Sequence, residues 1–153
     1  MAQHIPDGYH SVNAYLIVRG AAQALDFYQR ALGAKERMRL PLPDGRICHA
    51  EMEIGGSVVM LADEFPEMGA HSPQTIGGTS VGLCVYVNDV DAVFKQALAA
   101  GGKEERPLQN QFYGDRSGTF VDPFGHKWTI ATHVEDVPPD EIQRRMAAMK
   151  PPG

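Results

Sequence analysis

In the run Ile47-Cys48-His49-Ala50-Glu51-Met52-Glu53-Ile54, three titratable groups recur at every second position. A β-strand sends alternate side chains to opposite faces. His49, Glu51 and Glu53 would therefore share one face, with Ala50, Met52 and Ile54 on the other. If the polar face lines a concavity, His49 and Glu51 can exchange protons with a substrate as general acid and base, or ligate a metal ion. A polar strand face turned to water is the plainer reading of the same alternation. His49 is the strongest candidate of the three.

A second candidate is Asp115-Arg116, set between Gly114 and Gly118. A guanidinium on a tight, glycine-flanked loop can grip a carboxylate or phosphate through two parallel hydrogen bonds. The alternative is an ion pair that fixes the loop. Phe112, Tyr113, Phe124 and Trp128 supply aromatic surface for a ligand or for the core. His126 follows a turn glycine and reads as a surface or capping residue. His133 and Glu135 fall at the end of the last strand, within reach of a pocket mouth or an interface. Cys48 and Cys84 have no neighbouring histidine to activate them, so they read as buried and inert. The sequence holds no phosphate-binding loop, dinucleotide fingerprint or Ser-His-Asp order.

The elements that must position these residues follow from apolar spacing. Residues 13–18 read as a strand. Ala21 to Leu32 switches to helical spacing with Ala21, Leu25, Tyr28 and Leu32 on one face, and Gly33 suits the helix end. Strands are expected over Arg37–Leu40, Ile47–Ile54 and Ser57–Ala62, with turns at Pro43-Asp44-Gly45 and Gly55-Gly56. Residues 63–79, with two prolines and Gly77-Gly78, form a long connection that serves as a linker or lid. The pattern then begins again: strand Val81–Val87, a helix capped at Asn88-Asp89 with Val90, Val93, Phe94, Ala97 and Leu98 on its apolar stripe, and strands near Arg106–Leu108, Asp115–Val121 and Lys127–Ala131. A helix from about 138 to 150 closes the chain.

Val18 and Val87 end the first strand of each half, and Gly56 and Gly125 occupy the last turn of each. Both pairs stand 69 residues apart. An internal repeat of this kind predicts two related βαβββ units, about 12–62 and about 80–133, joined through 63–79. A single such unit leaves one sheet face bare, so the two are expected to pair within a single domain spanning residues 1–153.

The bulk properties set outer limits. The chain has 153 residues, 43% hydrophobic and 22% charged, with a net charge of −5. These values suit one ordinary globular domain. They argue against a protein that binds nucleic acid by neutralising phosphates. No apolar run approaches the ~20 residues of a membrane-spanning helix. The first residues lack a basic and apolar leader, and two cysteines make no disulfide framework. A cytoplasmic setting is the expectation.

The paired units, with Phe27-Tyr28 in the first helix, Asn88-Asp89-Val90-Asp91 before the second and Asp122-Pro123-Phe124-Gly125 before the last strand, resemble the vicinal oxygen chelate superfamily. That superfamily includes glyoxalase I, extradiol dioxygenases, fosfomycin-resistance enzymes and bleomycin-resistance proteins. The runs Gln111 to Gly118, Asp122 to Trp128 and Ala131 to Asp136 are similar, more narrowly, to its PhnB-like branch. The resemblance implies an α+β fold in which two βαβββ units form a curved mixed sheet around a cavity, with a C-terminal helix added. It also implies a homodimer.

Metal enzymes of this family draw ligands from the first and last strands of each unit. Those positions here are Asn13, Met60, Gly82 and Thr129. None is His, Glu or Asp, so the divalent metal that the family suggests is not expected, and neither is any other cofactor. The expectation is a binder of an unidentified small organic molecule, with Asn13, Met60, Gly82, Thr129 and Tyr113 at the cavity. The alternatives are a glyoxalase-like lyase, an isomerase or a dioxygenase-related enzyme working through displaced groups such as His49, Glu51 or Arg116, and a structural or interaction module.

Overall fold

A computed structural model describes residues 1–149. The strands and helices follow the repeat. The first unit contains β1 (Tyr15–Val18), α1 (Ala21–Leu32), β2 (Lys35–Pro41), β3 (Ile47–Ile54) and β4 (Ser57–Asp63). A single 3-10 turn (Pro66–Met68) and a short helix, α2 (Pro73–Ile76), occupy the connection. The second unit contains β5 (Gly82–Tyr86), α3 (Val90–Ala100), β6 (Lys103–Asn110), β7 (Asp115–Val121) and β8 (Lys127–His133), and α4 (Pro139–Ala148) follows. Lys150, at the end of the expected C-terminal helix, lies outside the described residues.

Each unit forms its own four-stranded mixed sheet, in the orders β1-β4-β3-β2 and β5-β8-β7-β6. The first strand of each pairs parallel with the last, and the other pairs are antiparallel. The expected α+β architecture of two βαβββ units with a C-terminal helix is therefore the one the chain adopts. The strands remain two sheets, joined through their helices and side chains.

Alternation decides what each sheet buries. Leu16 and Val18 of β1, Ala50 and Met52 of β3, and Leu61 of β4 join α1 in the core. Phe120, Trp128 and Ile130 do the same in the second sheet with Phe94 and Ala97 of α3. The two cores are one cluster because α1 and α3 pack on each other. Gln96 of α3 donates to the Arg30 carbonyl at the end of α1 (2.7 Å), satisfying an acceptor that the helix leaves free. Phe27 meets Phe120 and Phe124 at ring distances of 6.4 and 6.1 Å, and Tyr28 meets Trp128 at 5.3 Å. Burying an aromatic or aliphatic side chain of this size stabilises by about 1.5–3 kcal/mol.

At the centre of this seam lies Asp122, a charged residue that is buried. Its carboxylate accepts from the Tyr28 hydroxyl, from Trp128 Nε1 (2.8 Å) and from the backbone N–H of Phe124 and His126 (2.9 Å each). A buried carboxylate is tolerated only when its lone pairs are filled in this way. Burial, followed by the adjacent Asp122 charge, pushes the Tyr28 hydroxyl pKa well above its ordinary value. His126, expected at the surface or in a cap, is half-buried and donates to the Ile17 carbonyl of β1 across 109 residues of sequence (2.9 Å). The turn that carries it is held against the first unit, so its ring has a carbonyl to find.

The first unit has its own acceptor, Asp63. It takes the N–H of Gly20 and Ala21 at the start of α1 and of Ile47 at the start of β3. The next residue, Glu64, accepts from Arg19, Thr75 and the Ser72 backbone. The 63–79 connection is therefore tied to the end of β1 and carries ordered turns of its own.

Several strands differ by a few residues from their expected bounds, and for β1 and β6 the cause is visible. Asn13 and Ala14 lie before β1, because the Asn13 side chain bonds both the N–H and the carbonyl of His10. Strand β6 runs over eight residues although no apolar pattern marks it, since pairing with β7 defines it. Pro107 falls where that pairing slips between Arg106 and Gln109, the place where an edge strand tolerates a proline. Gly114, at a φ of 107°, is obligatory: a Cβ there would lie 2.1 Å from the Glu135 carbonyl oxygen.

Two predictions follow from these ties. Asp122→Ala strands two side-chain donors and two backbone N–H groups, so urea unfolding should show a loss of roughly 4 kcal/mol, with Tyr28→Phe costing about 1.5. The bonds from Thr75, Arg19 and Ser72 hold the Glu64 carboxyl down to about 2, against an ordinary 4.5. Between those values the unfolded chain binds the extra proton, so stability should fall as pH drops from about 4.5 towards 2. Glu64→Gln should flatten the melting-temperature profile in that window and leave it unchanged near neutrality.

Candidate functional site

The faces of both sheets turned away from the helices are open. On the first, β3 presents His49, Glu51 and Glu53 as the alternation predicts, and its neighbours set their surroundings. Leu40 of β2 lies opposite His49 and Met38 opposite Glu51. Met60 of β4 lies opposite both Glu51 and Tyr15. Tyr15, 45% exposed, is stacked obliquely on His49 with ring centres 5.6 Å apart.

These side chains form a continuous hydrogen-bonded line. Glu51 Oε2 lies 2.9 Å from His49 Nε2, and the Tyr15 hydroxyl lies 3.0 Å from His49 Nδ1. The Tyr9 hydroxyl, then His49, holds the Glu51 carboxyl below the usual carboxylate range. An ionised Glu51 can only accept, so His49 donates from Nε2, and in the neutral ring Nδ1 accepts from Tyr15. Arg37 closes the line, 3.7 Å from Glu53 and over the Tyr9 ring at 5.6 Å. Of the polar run in β3, His49 and Glu51 act together, while Glu53 is an ion-pair partner.

The second open face carries another cluster. Asp115, buried at the start of β7, accepts from the Tyr86 hydroxyl (2.6 Å) and lies 2.8 Å from His133 Nδ1. His133 Nε2 meets Asp136 at 2.7 Å. Burial works against the Asp115 charge, but Tyr86 and His133 outweigh it and hold its pKa down. The same two carboxylates, Asp115 foremost, raise that of His133. Cys84, expected to be buried, is exposed on this face beside Asp115. Each strand of the pair β5 and β8 offers alternate residues to the open side, and position 84 has that parity.

Arg116 points the other way, forming two bonds to Asp91 in the first turn of α3 (2.8 and 3.0 Å). Its guanidinium fork is occupied by a residue of the chain. Tyr113 is exposed and packs edge-on against Phe112 with 5.3 Å between ring centres. Glu135 pairs with Arg145 of α4 (2.8 Å). Trp128 is 1% exposed and faces the helices, as its position beside Thr129 predicts.

Two grooves run between the units. One, of about 400 Å³, lies between Val58 and Val59 of β4 and Leu83 and Val85 of β5, with Trp128 and Asn13 on its wall. The other, of about 390 Å³, is bordered by Ile17, His71, Pro73, Val81 and His126. Of the expected cavity positions, Asn13 borders the first groove. Met60 and Thr129 stand half-buried on the open faces of β4 and β8, and Gly82 is exposed at the start of β5.

The four positions do not suit a divalent metal. Both polar atoms of the Asn13 side chain are spent on His10. Thr129 Oγ1 is bonded to Thr119 Oγ1 at 2.9 Å. Met60 offers a soft thioether, and Gly82 has no donor beyond its backbone. Among the described residues, no three His, Cys, Asp or Glu side chains converge on one point. No helix among them is long and apolar enough to cross a membrane.

Sequence reasoning missed four of these residues: Tyr9, Tyr15, Tyr86 and Asp122. Tyr15 and Tyr86 carried a signal in their strand parity, since alternation sets Tyr15 opposite in direction to Leu16 and Tyr86 opposite in direction to Val85. Tyr9 carried none, because its partners come from distant parts of the chain; Asp122 stood in a visible turn motif, but its bond to Tyr28, 94 residues away, left no local trace.

Comparison with known proteins agrees with this geometry. Residues 8–130 match the family model described as the Glyoxalase/Bleomycin resistance protein/Dioxygenase superfamily. An uncharacterised protein of Mycobacterium tuberculosis is 44% identical over 141 residues, covering 90% of this chain and 83% of that one. The crystal structure of TioX from Micromonospora sp. ML1 is similar at a TM-score of 0.62 and 27% identity, over 81% of this chain and all of that one. The PhnB protein of Bacillus cereus shares the fold at a TM-score of 0.61 and 19% identity, over 80% and 99% of the two chains.

Partial burial of its sulfur, then the Asp115 charge, raises the Cys84 thiol pKa. Although exposed, Cys84 should therefore alkylate with iodoacetamide more slowly at pH 7.5 than a free cysteine. Asp115→Asn should speed it, as followed by mass spectrometry.

Proposed function

The chain belongs to the Glyoxalase/Bleomycin resistance protein/Dioxygenase superfamily, and from that membership we propose that it binds a small organic molecule without the divalent metal centre of the family's enzymes. This superfold hosts many chemistries, so the choice among them rests on the site. The observation that carries the reading is the donor set at the four metal positions: an asparagine bonded to its own loop, a thioether, a glycine and a threonine bonded to another threonine.

Where ligands to a metal are lacking, strand-lined space remains for carbon. The groove beside Asn13 presents Val58, Val59, Leu83, Val85 and Trp128, and its volume of about 400 Å³ is in the range that holds a ligand of one to three rings. Tyr86 at its mouth adds a flat, amphipathic surface.

The same proposal makes the protein a homodimer. Tyr15, Met38, Leu40, Tyr86 and Tyr113 are exposed on or beside the open sheet faces. A second copy set over these faces would cover their apolar surface and enclose the space between the sheets. Sedimentation at micromolar concentration should give about twice the mass of one chain.

Binding is tested by calorimetry with indole, 1-naphthol and 8-anilinonaphthalene-1-sulfonate. Saturable binding of at least one, with Kd on the order of micromolar, is expected with or without EDTA. Val85→Phe, which fills the groove with an apolar ring, should weaken it about tenfold or more, about 1.4 kcal/mol. Binding abolished by EDTA and restored by Zn²⁺ or Mn²⁺ would instead establish a metal centre. Failure of all three probes would favour an interaction module.

A further inference from the structure

The second groove between the units, of about 390 Å³, has a lining unlike that of the first. Ile17, Pro73, Ile76, Val81 and Leu83 give it apolar walls, and His71 and His126 stand among them. No Asp, Glu, Lys or Arg borders it. Ile76 and Val81, on its rim, are 68% and 65% exposed. Apolar surface gathered around a concavity with a few polar atoms is the usual form of a small-molecule site. We propose that this groove is a second binding site, for an uncharged phenol of one or two rings whose hydroxyl donates to Nδ1 of His126.

Three observations carry this assignment. The first is the state of the His126 ring. Its Nε2 lies 2.9 Å from the Ile17 carbonyl, which can only accept, so Nε2 carries the ring proton. In the neutral imidazole Nδ1 is then a bare acceptor. Among the described residues no buried side-chain nitrogen or oxygen lacks a partner, and the ring's bond within the chain is made by Nε2. The Nδ1 lone pair is therefore accessible to a donor that enters the groove the ring lines. The Thr79 hydroxyl offers no such opening, since it accepts from the Val81 N–H and donates to the Val81 carbonyl (3.3 Å each).

The second observation is that the walls are already fixed. Helix α2, which carries Pro73 and Ile76, is capped by Ser72 and tied through Thr75 to Glu64 and Arg19. Gln74 donates to the Pro123 carbonyl (3.3 Å), and a Cβ on Gly125 would lie 2.7 Å from that of Pro73. The turn bearing His126 is thus pressed onto α2, and a site preformed in this way binds without first ordering its own backbone. The third observation is the repeat. Ala14 and Leu83 stand 69 residues apart and line both grooves, while Ser57 and His126, also 69 apart, line one each. The grooves are counterparts in the two units, and the second has an imidazole where the first has a small hydroxyl. With no charged side chain to offset the desolvation of a carboxylate, phosphate or amine, the ligand that fits is uncharged. A phenol sets a flat apolar body against Ile17, Val81 and Leu83 and brings one donor for His126.

This site goes beyond the groove beside Asn13 and does not rest on it, so either can fail alone. The full chain, labelled with ¹⁵N and ¹³C, is titrated by NMR with 4-cresol and with its methyl ether, 4-methylanisole. Wild-type protein should show saturable shifts at the methyl groups of Ile17, Ile76 and Val81 and at the ring nitrogens of His126. These signals locate the site without any variant. The Kd for 4-cresol should be roughly three- to tenfold lower than that for the ether, the worth of one neutral hydrogen bond. His126→Gln, which keeps an N–H for Ile17 but removes the ring acceptor, should raise the 4-cresol Kd by the same factor and leave that of the ether as it is. Ile76→Trp, on the exposed rim, should weaken both ligands about tenfold or more by filling the groove. Melting curves check that both variants are folded. Equal affinity for phenol and ether, an unchanged 4-cresol Kd in folded His126→Gln, or the absence of saturable shifts at these residues with millimolar 4-cresol would each overturn the proposal.

Discussion

A single buried carboxylate decides how the two halves of this chain meet. Asp122 immediately follows β7, in the second unit, yet one of its four donors is the hydroxyl of Tyr28, in the helix of the first. A charge withdrawn from water must be met by donors on every lone pair, or its burial costs several kcal/mol. Tyr28, Trp128, Phe124 and His126 are thus drawn to one point. The aromatic seam of Phe27, Phe120 and Phe124 then packs around it. These ties help hold helix α1 against α3, and each helix packs on its own sheet.

Asp63 does comparable work inside the first unit by gathering the start of α1 and the start of β3. The two aspartates occupy different places, one at the end of the fourth strand and the other in the turn just after the seventh. The repeat has therefore kept its plan of strands while changing the polar ties that hold it. The open faces have diverged in the same way. The first carries Tyr15, His49 and Glu51, and the second carries Tyr86, Asp115 and His133 with Asp136. In the first an imidazole is the centre of the line, and in the second a buried carboxylate is.

Much of this was legible before any coordinates. The helix over 21–32, the strand over 47–54, the turn at Gly55-Gly56 and the offset between the halves all lie in local pattern, where apolar period and turn chemistry agree. The shared face of His49 and Glu51 followed from strand alternation alone, and so did the inward direction of Trp128. Strand β6 was visible only in part. Its residues are exposed almost throughout, and what makes them a strand is the neighbour they pair with. The ordered turns of the 63–79 connection were hidden for a related reason: Glu64 organises them through Arg19, which comes from the other end of the unit.

The amino-acid order by itself determined the two βαβββ units, the parity of strands such as β3 and β8, and the poverty of the four metal positions in ligating side chains. Those properties depend on neighbours within a few residues or on side-chain chemistry, which no folding can change. Tertiary structure alone decided which polar groups meet. Arg116 could have faced a ligand but finds Asp91, His126 could have faced water but finds Ile17, and His49 finds a tyrosine 34 residues away. Each of these choices is made by the need to satisfy a buried or half-buried polar atom with whatever partner the packing of two sheets and two helices brings within 3 Å, and that partner is not a neighbour in sequence.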